Sequence, residues 1–85
     1  MTEKLDLHGY TVMDAWRCFE QWINEKQKNP LVKKVVIVTG DGAIKQEFER
    51  WCMDMSFVRQ VELHRSGGAF VVYFYKKRRE LWKLY

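Results

Sequence analysis

Asp6-Leu7-His8, followed by Gly9, is the first group of residues in this chain able to do chemistry. On a strand, residues two apart share a face, with side-chain roots roughly 6.5–7 Å apart. A carboxylate at that separation can orient or charge an imidazole, directly or through water. An imidazole so held works as general base or acid near neutral pH. The structural alternative has Asp6 cap the next turn while His8 packs against Tyr10 or Trp16. A second group, Thr39-Gly40-Asp41-Gly42, precedes a helical pattern. Its glycines let the backbone approach an anion, and the free N–H groups and dipole of a helix start favour negative charge. Phosphate is the natural guest, although any tight strand-to-helix turn could use the same glycines. No Lys-Ser or Lys-Thr follows, which argues against a nucleotide-hydrolysing P-loop. No residue present requires a metal, and nothing in the sequence supports a divalent ion at Asp6 and Asp41.

His64-Arg65-Ser66-Gly67-Gly68 forms a third group. Arg65 is its better candidate for phosphate, because a planar fork matches phosphate oxygens. His64 reads rather as part of an exposed turn. Tyr10, beside the first group, could stack on a base or simply cover the helix start.

These groups matter only if the elements bring them together. Lys4 to Leu7 reads as a short strand with Leu5 and Leu7 on one side and Asp6 and His8 on the other. Thr11 is placed as an N-cap with Asp14 three residues on. Val12, Ala15, Trp16, Phe19, Trp22 and Ile23 then follow at helical spacing, and the helix should stop before Asn29-Pro30. Val35-Val36-Ile37-Val38 is the β-branched run of a strand buried on both faces. Ile44, Phe48, Trp51, Cys52 and Met55 mark a second amphipathic helix. Phe57 to Leu63 and Ala69 to Tyr75 read as two more strands, giving βαβαββ.

Right-handed crossovers place both helices on one face. The two apolar strands belong in the centre and the two with polar positions at the edges. The expected fold is therefore a two-layer α/β sandwich over a mixed four-stranded sheet of order 1-2-4-3, its last strand antiparallel. That order sets the carboxyl ends of the first two strands side by side, where ligands of open α/β sheets bind. It also leaves one sheet face uncovered, a place for the C-terminal tail or a second copy of the chain.

The 85 residues allow one domain, read as residues 1–75 with a basic and aromatic tail at 76–85. With 47% hydrophobic and 31% charged residues, disorder is excluded. No apolar run approaches a membrane span and no leader pattern is present, so a cytoplasmic location is expected. Cys18 and Cys52 fall inside helical patterns at no metal spacing, which reads as two free thiols. Up to Leu63 there are nine Lys or Arg against ten Asp or Glu; from His64 on there are six against one. Lys76-Lys77-Arg78-Arg79 holds most of that excess, either as a phosphate-contacting patch or as a solubilising tail.

Leu5-Asp6-Leu7-His8-Gly9, Thr39-Gly40-Asp41-Gly42 and Ser66-Gly67-Gly68-Ala69-Phe70-Val71-Val72-Tyr73, in that order, resemble the Smr (small MutS-related) domain. The resemblance runs from Leu5 to about Tyr75. It implies a sandwich like the C-terminal domain of bacterial translation initiation factor three, nucleic-acid binding and, as in several members, endonuclease activity on DNA or RNA. Carried over by motif are Asp6, His8, Gly9, Gly40, Gly42, Gly67 and Gly68. The second loop is shorter than members often have, with Ala43-Ile44-Lys45 entering the helix at once. The expectation is an Smr-like domain that nicks or grips the phosphodiester backbone. In it Asp6 and His8 are catalytic, and Gly9, Gly40, Asp41, Gly42, Arg65, Gly67, Gly68, Lys76, Lys77, Arg78 and Arg79 bind phosphate, with no cofactor required. The alternatives are a non-catalytic module for RNA or a ribosomal surface, and a protein-interaction or homodimerisation domain.

Overall fold

A computed structural model describes residues 2–76 and contains six elements: β1 (Thr2–Asp6), α1 (Val12–Gln27), β2 (Lys34–Val38), α2 (Ala43–Met53), β3 (Val58–Leu63) and β4 (Ala69–Phe74). Lys77, Arg78, Arg79 and the apolar tail at 81–85 lie outside the described residues. The sheet order is β1-β2-β4-β3, with β1 parallel to β2 and β4 antiparallel to both neighbours. This is the order that strand polarity predicts.

Local chemistry starts and ends the helices. The Thr11 hydroxyl accepts from the Asp14 N–H at 3.2 Å and opens α1. Asn29 closes the far end, its side chain accepting from the Leu31 N–H at 2.9 Å ahead of the next strand. Gly42 caps α2 with no side-chain bond. The second helix ends at Met53, so Met55 packs against the core from the following turn rather than from the helix.

Both helices cover the same face. Phe19 of α1 and Phe48 of α2 meet with ring centroids 4.9 Å apart, and Phe48 stacks on Phe70 of β4 at 4.8 Å. Val35, Ile37, Phe70 and Val72 point into this layer and are buried. Their neighbours Val36, Val38, Val71 and Tyr73 face the other way and are half-buried. The open face is thus apolar only along its middle. Lys4, Asp6, Lys34, Gln60 and Glu62 flank the strip, and Lys34 and Glu62 both lean on Tyr73.

One irregularity decides what β3 displays. Val58 pairs with Phe74 and Gln60 with Tyr73, so Arg59 is an extra residue in a β-bulge. Strict alternation would put Val58 and Val61 on opposite faces. The bulge resets the phase: both valines pack against the core, while Arg59 and Gln60 stay exposed.

Candidate active site

The three sequence groups meet at the carboxyl end of β1 and β2. Leu7 N–H donates to the Val38 carbonyl at 2.7 Å, extending the parallel ladder one step past β1 and fixing where His8 leaves the sheet. The N–H groups of Thr39 and Gly40 both donate to the Gly68 carbonyl, at 2.9 and 3.0 Å. One carbonyl therefore ties the second loop to the third. Gly40 has φ of +74°, a conformation that side chains rarely adopt, and a Cβ there would lie 3.5 Å from that of His8. A Cβ on Gly68 would touch the Gly40 backbone at 3.7 Å.

At this seam His8 Nδ1 lies 2.9 Å from Asp6 Oδ1, and the His8 backbone N–H donates to the same oxygen at 3.0 Å. A carboxylate only accepts, so the pair places the imidazole proton on Nδ1 and leaves the Nε2 lone pair free. These two hydrogen bonds from His8 hold the Asp6 carboxyl below its ordinary value of 3.8. Asp6 thus both caps the turn and orients the ring, uniting two readings that the sequence set against each other. The imidazole is not packed away: the His8 side chain is 70% exposed and that of Asp6 55%.

His8, Gly40 and Asp41 line two hollows at once. One, of about 390 Å³, lies between the starts of α1 and α2 and takes in Gly9, Tyr10 and Gly42. Two helix N-termini border it, and their dipoles favour an anion. The other, of about 800 Å³, is a shallow trough on the open sheet face, reaching Lys4, Val36 and the third loop.

Two features bear on which groups face a phosphate at this pole. The Gly40 N–H is spent on Gly68, so it does not serve a phosphate; the donors available are those of the first turn of α2, beyond the bare Gly42 cap. In the third loop, His64 and Ser66 line the trough, whereas Arg65 is exposed on the turn and does not. Ser66 N–H donates to His64 Nδ1 at 3.2 Å, joining the two residues that line the trough's far side. Gly67 closes that turn by donating to the His64 carbonyl at 2.9 Å. Lys76 is exposed at the opposite end of the sheet, beyond β4. Asp41 is 86% exposed and lies 3.7 Å from Lys45. Among the described residues, no cluster of three or more His, Cys, Asp or Glu could hold a metal ion. Nor is any described helix long and apolar enough to cross a membrane.

The family model described as Smr domain matches residues 5–75. The chain belongs to the Smr family. That family is one of nucleic-acid-binding, nuclease-like domains, and its model spans all three loops that converge here. No curated protein and no solved structure matches the chain.

Proposed function

We propose that this Smr domain holds a nucleic-acid strand at the β1–β2 pole and cleaves its phosphodiester backbone. The observation that carries the reading is the exposed Asp6–His8 pair, 2.9 Å apart and packed beside Gly40, at the mouth of a hollow bordered by two helix N-termini. A phosphate seated there meets the first-turn N–H groups of α2, which oppose the charge added in the transition state. His8 Nε2 takes a proton from the attacking water as the new P–O bond forms. It returns that proton to the leaving oxygen as the old P–O bond breaks. Asp6 keeps the ring oriented and stabilises its protonated form. Gly9, Gly67 and Gly68 let the strand approach, and Arg65 with the Lys76–Arg79 block holds flanking phosphates.

The test uses purified protein on labelled single- and double-stranded DNA and RNA, with and without chelator. Wild type cleaves; His8→Ala lowers the rate by about 10²- to 10⁴-fold, the usual worth of a positioned acid–base group, while binding persists. Salt-sensitive binding with no cleavage by wild type would instead establish a non-catalytic RNA-binding module.

A further inference from the structure

At the end of the sheet remote from His8, a groove of about 570 Å³ is lined by Lys33, Lys34, Arg59, Lys76, Tyr73 and Tyr75. Its four cations are all exposed, and no acidic residue lines it. We infer that this groove binds a single-stranded stretch of the same nucleic acid whose backbone lies at the Asp6–His8 pole, as a second subsite for phosphates and one base. The inference rests on the function proposed above.

Three features support it. First, the cations are organised around a fixed ring. Arg59 lies 5.4 Å and Lys34 5.9 Å from the Tyr73 ring centre, while the Tyr73 hydroxyl donates to Glu62 Oε1 at 3.0 Å and holds the ring in place. Second, the bulge in β3 exists at this point, and its effect is to expose Arg59 on the groove without costing the core Val58 or Val61. Third, Tyr75 is 55% exposed while its backbone N–H is tied to the Phe57 carbonyl at 3.1 Å, so an open aromatic ring stands on an anchored strand end. Cations set for phosphates beside a free aromatic ring suit an unpaired strand, because bases in a duplex keep their faces stacked on one another. The positive charge continues in sequence with Lys77, Arg78 and Arg79.

The open sheet face, on which Asp6 lies, runs from the Asp6–His8 pole to the groove. Asp6 aligns through Val38 with Ala69, four residues along β4 from Tyr73. At ~3.3 Å per residue and ~4.8 Å per strand, the diagonal is about 16 Å. About five stacked nucleotides at ~3.4 Å each cover that distance, and fewer if extended.

Fluorescence anisotropy with a single strand of about ten nucleotides, and with a duplex of equal length, decides the matter. For the single strand, Tyr75→Ala weakens binding roughly 5- to 150-fold, the value of one base–aromatic stack, and leaves the duplex unaffected. Lys34→Gln with Arg59→Gln makes the salt dependence shallower by about 1.4, that is about 0.7 for each single-strand phosphate lost. All three positions are exposed or half-exposed at the surface, and thermal melts check that the variants stay folded. If wild type binds and the variants match it, the groove assignment is wrong and the proposed function stands. If wild type binds no nucleic acid, both fall. An equal loss on the duplex overturns the single-strand assignment. Tighter binding by Tyr75→Ala would give the groove to the chain's own residues 81–85. Loss of a dimer in Arg59→Gln with unchanged affinity would give it to a second copy.

Discussion

The Asp6 carboxylate accepts two hydrogen bonds from one residue, the ring and the backbone of His8. Its folded-state value is lowered, so Asp6 favours the folded form above the ordinary carboxylate range. That contribution is lost as pH falls through the lowered value. In an NMR titration Asp6 should therefore show a midpoint below 3.8, and His8→Ala should move it back up. An unmoved midpoint would mean that the pair does not form in solution. Gly40 gives a second residue-scale prediction. Its φ of +74° makes Gly40→Ala cost about 1–2 kcal/mol by conformation alone, whereas Gly68→Ala, which meets only ordinary van der Waals contact, should cost far less. Paired chemical denaturation curves check the contrast. The Asp-Leu-His spacing made the pair legible in the sequence, since two residues apart on a strand must share a face. The capture of the Gly40 N–H by Gly68 was not, because a hydrogen bond between loops 28 residues apart leaves no local signature.

The elements differ in how openly they announce themselves. The helices follow from caps and apolar spacing, and the sheet order from which strands carry polar residues. The bulge at Arg59 does not follow, because a strand read by strict alternation gives no sign of an extra residue. Only the need to bury both Val58 and Val61 against one face demands it. The third loop is similar: charge singles out Arg65 in the sequence, whereas it is the turn geometry that sets His64 and Ser66 on the trough. The two cysteines test helix placement. Burial pushes the Cys52 thiol up from 9.0 to about 12, whereas Cys18 on α1 is only half-buried. A thiol reagent at mildly alkaline pH should label Cys18 first and reach Cys52 only through unfolding. Equal rates would show that α2 is not seated as described. The raised value also stabilises the fold below about pH 9, and this is lost as pH rises towards 12.

Across the whole molecule, one aromatic chain carries the sandwich. Trp16 lies 5.3 Å from Trp51, Phe19 meets Phe48, and Phe48 reaches Phe70 in the sheet. Phe48 is fully buried and touches both layers, so Phe48→Ala should remove about 3–5 kcal/mol. In a chain this small that is enough to abolish the cooperative melt. A loss under 1 kcal/mol would show that the helices do not rest on this ring. The uncovered sheet face looked like a deficit in the sequence because Val36 and Val71 are apolar. In the structure, side chains from the flanking strands narrow that strip, an effect that depends on rotamers and cross-strand register rather than on composition.

The position of β4 has a consequence for synthesis. The last strand among the described residues is a central one, inserted between β2 and β3, and the carbonyl that clasps the second loop lies just before it. A nascent polypeptide that has not yet emerged past residue 74 cannot assemble its sheet, whatever its first sixty residues have done. The pole where the Gly68 carbonyl clasps Thr39 and Gly40 is therefore completed only after β4 has been made.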